Sequence, residues 1–349
     1  MHVYLIAYWL SALVAYVARK RRASMMLAGL FGLFLILFIG LRGDVGCDTL
    51  TYQRRFLQMY QGVGWLDQLR ESEGLFAWFN MVFSHNGYGF GAFLLGCAAI
   101  FVFALWRLAS VYPRPFSVMV LAFPVLVIQL AMSGLRQALA TAFLMLALHA
   151  FVRGRKAVTA LLILLAWQFH ASAIAFLPIA LLAGRDFSIK RVIVAVLLMS
   201  PFVAWMLSSR LEVYHDRYVE QIYGENSSSG AWFRYVLIVV PFLLFEWRRR
   251  LVRVHFPALY DLLCLFAVIA FAVALVGAVS SVALHRLVFY VMPVSILALL
   301  CVTDCMFARS SRRVAHLVPF FLYGGYITAW FLFSKHSSAC YVPYGTWLT

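Results

Sequence analysis

Long apolar runs, separated by short charged segments, repeat from one end of the chain to the other. The run "MMLAGLFGLFLILFIG" at 25–40 contains sixteen consecutive residues without a charge. A helix needs roughly 20 predominantly apolar residues to cross the ~30 Å hydrocarbon core of a bilayer. The pattern therefore predicts an all-α polytopic membrane protein that forms a single domain over residues 1–349.

About twelve of these runs are predicted to span the membrane. They cover 3–18, 24–41, 89–106, 116–133, 136–152, 157–170, 172–184, 192–209, 231–246, 257–280, 286–305 and 315–333. The apolar segment 75–83 covers only ~15 Å as a helix, so it is predicted as a half-helix at the outer surface. Residues 157–184 are predicted as two short helices that meet at "FHAS", with one long tilted helix as the alternative.

The charges fix the predicted orientation of the chain. A net charge of +16 would indicate a nucleic-acid or acidic partner in a soluble protein. When residues 19–22 ("RKRR") are placed in the cytoplasm, however, most of the 29 Lys and Arg residues fall in loops on the same side. This asymmetry follows the positive-inside rule. The sequence therefore predicts both termini outside and no nucleic-acid partner.

A second set of polar residues lies at helix mouths on the predicted outer side, where topology requires no positive charge. Arg136 and Arg286 each open a predicted span, where helix N-termini favour anions. Guanidinium groups bind phosphate in a bidentate manner, so two of them would suit a pyrophosphate. The alternative for a single arginine is snorkelling to lipid headgroups.

Two further groups on this side have more than one interpretation. His170 is a candidate general base or phosphate ligand. Asp44 and Asp48 are candidates for a base, or for salt-bridge partners of Arg42 and Arg54. A two-carboxylate metal site has weak support. Because the arginines can substitute for a divalent ion, no metal is predicted, and no cofactor is predicted either.

The six cysteines contain no C-x-x-C pattern, which disfavours a metal or thioredoxin-like motif. Cys47 and Cys340 both fall on the predicted outer side. A disulfide between them is one option there, and two free thiols are the other.

The order of these motifs resembles the EpsG family of Wzy-like polysaccharide polymerases. "RGDVGCDTLTY" resembles its R-x-x-x-G-x-D-x-x-x-Y signature, and "ESEGLFAWFN", "SGLRQALA", "FHASAI", "HRLVFY" and "YVPYG" resemble later segments in the same order. The residues at matching positions are Arg42, Gly46, Asp48, Tyr52, Glu73, Gly134, Arg136, Gln137, Phe169, His170, Ser172, Ala173, Arg286, Tyr290 and Tyr344. The C-terminal tyrosine–proline motif is looser than in the family, and 186–280 contains no motif.

The resemblance implies a GT-C-like membrane glycosyltransferase in the bacterial inner membrane with its active site facing the periplasm. It would join undecaprenyl-pyrophosphate-linked oligosaccharide units of an O-antigen, capsule or exopolysaccharide. Donor and acceptor units and membrane lipids are the implied partners, with a chain-length regulator as a further candidate.

The expected residue roles follow from the same resemblance and from the chemistry of each side chain. His170 or Asp48 would act as the base, while Arg42, Arg136, Arg286 and Gln137 would bind pyrophosphate. The residues expected to bind the rest of the substrate are Asp44, Tyr52, Glu73, Ser172, Tyr290 and Tyr344. The alternative functions are a membrane O-acyltransferase that modifies surface polysaccharide and a lipid-linked oligosaccharide flippase or transporter.

Overall fold

The computed structural model describes residues 1–60, 73–208, 230–279, 281–307 and 316–347. These residues are almost entirely helical, and the β-structure among them is an isolated bridge between Arg42 and Thr346. The chain divides into two compact units. One comprises Met1–Met145, Gln168–His170 and Ser311–Thr349, and the other comprises Leu146–Trp167 and Ala171–Ser310.

The first unit contains the N-terminal helices and the end of the chain. Its helices are α1 His2–Val17, α2 Arg21–Gly40, α3 Thr49–Tyr60, α4 Gly74–His85, α5 Phe90–Ala109, α6 Pro115–Ala122, the π-helix Phe123–Ala131, the first part of α7 Leu135–Val152, α13 Val318–Phe333 and α14 Lys335–Tyr341.

The second unit contains the middle of the chain. Its helices are the end of α7, most of α8 Lys156–Phe169, the 3₁₀-helix Ala171–Leu182, α9 Ile189–Ser208, α10 Gly230–His255, α11 Pro257–Val279 and α12 Ser281–Phe307.

Five helices of the described chain are long and apolar enough to cross a membrane. They are Arg21–Gly40, Phe90–Ala109, Leu135–Val152, Pro257–Ala278 and Ala283–Met306. Each coincides with a predicted span, and large apolar side chains such as Leu33 on α2 and Leu197 on α9 face outward, where a bilayer would cover them. The chain is therefore a multi-pass, all-α membrane protein.

The predicted number of twelve spans is not confirmed, because several apolar helices are shorter than a typical span. These shorter helices are His2–Val17, Pro115–Ala131, Lys156–Phe169, Ala171–Leu182 and Val318–Phe333. The predicted half-helix at 75–83 is a 12-residue helix, α4. The predicted break at "FHAS" is confirmed, since α8 ends at Phe169 and the 3₁₀-helix begins at Ala171.

One irregular segment leads directly into the candidate site. Pro124 lacks a backbone N–H and interrupts regular α-helical bonding, and the chain continues as a π-helix over Phe123–Ala131. The Met132 N–H closes this segment by donating to the Val127 carbonyl at 3.0 Å. Single π-helical turns are frequent at functional sites. Here the segment leads into the turn that contains Ser133, and Arg136 follows as the second residue of α7.

Candidate active site

The loop at 41–48, which follows α2, is fastened to the C-terminal segment. A disulfide joins Cys47 to Cys340, with their Cα atoms 4.9 Å apart, so the pairing left open by the sequence is present. The Gly43 N–H donates to the Gly345 carbonyl at 2.9 Å, and the Gly46 N–H donates to the Cys340 carbonyl at 2.7 Å. The distant C-terminal segment therefore holds this loop in place.

Arg42 lies inside this fastened loop and has no solvent-exposed surface. Its Nη1 donates to the Ile39 carbonyl at the end of α2, and its Nε donates to the Val45 carbonyl at 3.1 Å. Burial lowers the pKa of Arg42 to about 10, so the group remains charged at neutral pH. A cation at a helix C-terminus is favoured by the helix dipole. The predicted role of Arg42 in pyrophosphate binding stays a prediction.

The loop packs closely on the turn that precedes α7. Gly46 has φ +104°, a conformation that residues with a Cβ rarely adopt, and a Cβ there would overlap the Met132 carbonyl. This close approach brings Asp48 to the turn, where the Ser133 hydroxyl donates to its Oδ2 at 3.3 Å. Gly46 thus sets the position of Asp48, one of the two candidate bases.

Arg136 connects three segments of the first unit. Its Nη1 donates to Glu73 Oε2 at 3.0 Å, and its backbone N–H lies 3.5 Å from the Tyr52 hydroxyl. Glu73 and Tyr52 are buried, whereas the side chain of Arg136 retains 25% exposure. We refer to Asp48, Tyr52, Glu73, Ser133 and Arg136 as the Arg136 cluster. The guanidinium of Arg136 is therefore held by the buried Glu73, and part of its side chain remains accessible to solvent.

His170 lies near the same cluster at the end of α8. It is buried, and the preceding Phe169 ring stacks on Phe143 at 5.1 Å. Burial alone would raise the pKa of Glu73, but the charges of Arg136 and then His170, together with the hydrogen bonds of the carboxylate, outweigh it, so the pKa is lower than usual. His170 is therefore close enough to influence the carboxylate that holds Arg136.

Asp48 has the opposite shift. Partial burial of its carboxyl group raises the pKa, while the Ser133 hydrogen bond and the charge of Arg136 act against the rise. The net pKa is above the ordinary aspartate value. A carboxylate with a raised pKa accepts a proton more readily than an ordinary one, as general bases require.

Three other predicted residues also lie in the first unit. Gln137 is buried beside Arg136 on α7, and Asp44 is exposed in the loop. The Tyr344 hydroxyl donates to the Phe38 carbonyl at 2.9 Å, and its ring stacks on the Phe38 ring at 4.7 Å. Tyr344 therefore anchors the C-terminal segment to α2.

The remaining predicted residues lie in the second unit. The Ser172 and Tyr290 hydroxyls are hydrogen-bonded at 3.0 Å, so two residues 118 positions apart meet as a pair. Arg286 precedes Tyr290 by one helical turn on α12 and is half-buried. Beside it, Arg234 on α10 is hydrogen-bonded to His285 Nδ1, and its guanidinium lies 5.4 Å from the Phe289 ring centroid.

Comparison with known proteins identifies the chain. The model of the EpsG family matches residues 25–346, nearly the whole sequence. The chain belongs to the EpsG family. Members of this family are Wzy-like polysaccharide polymerases, so the predicted resemblance is confirmed. No curated protein and no solved structure matches the chain.

One group in this EpsG-family protein has the spacing of metal ligands among the described residues. Ligand atoms of Cys47, His336 and Cys340 all lie within 4.8 Å of one another. A metal would bind the thiolate form of cysteine, but here the two sulfurs are bonded to each other. The group is therefore a disulfide with a neighbouring imidazole.

Two contacts of the EpsG-family protein were missed by reasoning from sequence. Ser133, which bonds Asp48, gives no motif signal apart from its place in "MSGLRQ". Arg234 stands in the region 186–280, where no motif was found. Its position four residues after Gly230, at the start of an apolar run, is the same helix-mouth signal that marked Arg136.

Proposed function

We propose that this protein is a polysaccharide polymerase that joins undecaprenyl-pyrophosphate-linked oligosaccharide units at the periplasmic face of the bacterial inner membrane. The observation that carries the proposal is the family match. It covers residues 25–346 and so contains every residue expected in the site, from Arg42 to Tyr344. The excess of basic residues in the loops assigned to the cytoplasm supports the orientation.

The reaction exchanges one bond at the anomeric carbon of the donor. The acceptor hydroxyl oxygen forms a bond to this carbon, and the bond from the carbon to the pyrophosphate oxygen breaks. The hydroxyl proton passes to a base, and undecaprenyl pyrophosphate leaves with the electron pair. A single displacement of this kind inverts the configuration at the anomeric carbon.

Arg136 and Arg286 stabilise the charge that develops on the pyrophosphate oxygen. Fixed cations and donors are most effective where charge develops in the transition state. The ion pair with Glu73 orients the guanidinium of Arg136, and the exposed part of its side chain remains available to an anion. Gln137, which follows Arg136 on α7, binds the same pyrophosphate group.

Asp48 or His170 accepts the proton. The raised pKa of Asp48 supports the first choice, and the effect of His170 on Glu73 supports a role for the histidine in the electrostatics of the cluster. Proton transfer by such a base contributes roughly 10²–10⁴ in rate. The two assignments differ in the pH dependence of the rate that they predict.

The other residues position the substrate or the loop. Arg42 and Tyr344, which are engaged with backbone carbonyls, hold the loop that carries Asp48. The groups proposed to contact sugar hydroxyls are Asp44, Tyr52, Glu73, Ser172 and Tyr290. No metal is assigned to the reaction, and a chain-length regulator is proposed as a partner.

The proposal is tested by complementation of a gene deletion in the native bacterium. Surface polysaccharide from cells expressing wild type, Arg136→Ala or Arg286→Ala is separated as a ladder, with protein levels checked by immunoblot. Removal of one such group costs ~10²–10³ in rate, so both variants should leave mainly single units. Arg153→Ala, a change in an exposed loop residue, serves as the control and should restore the ladder.

Other outcomes would replace the proposal. Normal chain length with a missing substituent after deletion would indicate an O-acyltransferase. Absence of any lipid-linked unit from the outer face would indicate a transporter.

A further inference from the structure

A kink in α10 separates its apolar part from a strongly basic end. Arg248 has non-helical dihedral angles (φ −110°, ψ 18°) within the helix Gly230–His255. The residues around and after it, "WRRRLVRVH", contain four arginines. This end of the helix belongs to the second unit, and none of its residues is assigned above to the transfer reaction.

Two of these arginines lie close to the same aromatic ring. The guanidinium carbons of Arg249 and Arg253 lie 5.6 Å and 5.4 Å from the ring centroid of Tyr260. Arg249 Nε also donates to the Tyr260 hydroxyl at 2.8 Å. Like charges four residues apart on a helix repel each other. A bound anion between Arg249 and Arg253 would reduce this repulsion.

The carboxylate that pairs with Arg249 neutralises little of this charge. Glu246 pairs with Arg249 at 3.4 Å, but both side chains are more than one-third exposed, and exposed ion pairs contribute little. Asp261 accepts a hydrogen bond from the Phe187 N–H at 2.8 Å. The same Phe187 ring lies 5.5 Å from the guanidinium of Arg249, which brings the loop before α9 to this surface.

Exposed apolar side chains flank the arginines. Trp247 is 62% exposed and Val254 is 76% exposed. The guanidinium carbon of Arg248 lies 3.9 Å from the centroid of the Trp247 ring. Tryptophan beside arginine is typical of the headgroup level of a bilayer, where both an apolar and an anionic neighbour are available.

We propose that Arg249, Arg253 and Tyr260 form a binding site for the phosphate headgroup of an anionic phospholipid. We call it the Tyr260 site. The positive-inside rule places arginines in a loop but does not require two of them on one ring. Basic pockets between transmembrane helices bind anionic lipid headgroups such as cardiolipin, and the adjacent exposed Trp247 and Val254 favour a lipid over a soluble phosphate.

The test measures lipid retention by the purified full-length protein. Wild type and an Arg249→Gln/Arg253→Gln double variant are titrated with cardiolipin and, separately, phosphatidylcholine, and bound lipid is counted by native mass spectrometry. An Arg153→Gln/Arg155→Gln variant removes two exposed charges elsewhere in the same unit and serves as the matched control. Each arginine near an anionic surface strengthens binding about five-fold, so the double variant should bind cardiolipin about 30-fold more weakly.

The site is established if the double variant loses cardiolipin and the control retains it. If the double variant fails to fold, Arg253→Gln alone carries the test, with an expected loss of about five-fold. The proposal is overturned if the double variant retains cardiolipin or if the control loses it equally. Equal binding of phosphatidylcholine, or displacement of cardiolipin by inorganic pyrophosphate at the same concentration, would overturn it as well.

Discussion

Glu73 is a buried carboxylate whose charge depends on Arg136 at 3.0 Å. Its lowered pKa means that it stabilises the fold fully above the ordinary carboxyl value of 4.5, and that this contribution is lost as the pH falls through the folded value. Glu73→Gln should lower the free energy of unfolding at pH 7 by about 3 kcal/mol, since it leaves Arg136 without a counter-charge. The difference from wild type should shrink below pH 4.5. Thermal unfolding in detergent at pH 7 and pH 3.5 measures both effects.

Glu246→Gln provides the control, because Glu246 forms an exposed pair with Arg249. Such a pair contributes about 1 kcal/mol or less, so this variant should remain close to wild type at both pH values. A Glu73→Gln protein as stable as wild type at pH 7 would contradict the role assigned to the ion pair.

Ser133 offers a way to decide between the two candidate bases. Its hydroxyl stabilises the charged form of Asp48, so Ser133→Ala should raise the pKa of Asp48 further. If Asp48 is the base, the acidic limb of the rate–pH profile moves to higher pH in this variant. Arg153→Ala, a change in an exposed residue that is assigned no role in the reaction, should leave the limb in place. An unmoved limb in Ser133→Ala would assign the base to His170.

The sequence identified most of these residues but not their contacts. Arg136, Glu73 and His170 could be selected because helix mouths and family motifs mark them. The ion pair between Glu73 and Arg136 spans 63 positions and depends on how α4 packs, which no local pattern encodes. Ser133 was missed for the same reason, since a single serine in a turn gives no signal by itself.

At the level of the element, the conformation of the loop at 41–48 depends on Gly46. Gly46 and Gly87 both have positive φ values, and alanine at either position costs ~1 kcal/mol or more in the backbone. A Cβ at Gly46 would also overlap the Met132 carbonyl, whereas a Cβ at Gly87 would meet open space. Gly46→Ala should therefore abolish polymer formation, and Gly87→Ala should reduce stability slightly and retain activity. Polysaccharide ladders and thermal unfolding of the two variants test this directly.

The disulfide makes the loop and the C-terminal segment one element. Loss of the Cys47–Cys340 bond, which closes 293 positions of chain, should lower the free energy of unfolding by about 2–4 kcal/mol. Cys47→Ser/Cys340→Ser and reduced wild type should show the same decrease. Reductant should have no further effect on the double variant. A wild-type protein whose unfolding is insensitive to reductant would contradict the role of the bond.

Helix positions followed from hydropathy where the helix is apolar throughout, as in Phe90–Ala109. The amphipathic helix α3, Thr49–Tyr60, was not predicted, because its charged residues mask the pattern. Its buried residues Tyr52, Phe56 and Met59 do have helical spacing, which would have indicated it. The π-helix after Pro124 could not be predicted, since proline marks an irregularity without specifying its type.

At the scale of the whole molecule, the apolar runs were sufficient to predict an all-helical membrane protein. The ordered motifs were sufficient to predict the EpsG family. The number of spans could not be fixed, because helices of 12 to 17 residues, such as Ala171–Leu182 and Val318–Phe333, are too short for hydropathy alone to place across a bilayer.

The central claim is that this one protein forms glycosidic bonds between lipid-linked units. The most direct measurement is to incubate the purified protein in lipid nanodiscs with the undecaprenyl-pyrophosphate-linked repeat unit of its native bacterium, without added divalent metal. We expect a ladder of polymer together with one released undecaprenyl pyrophosphate for each bond formed, and neither product with Arg136→Ala. Repeat units that remain single in the presence of folded, disulfide-bonded protein would contradict the account.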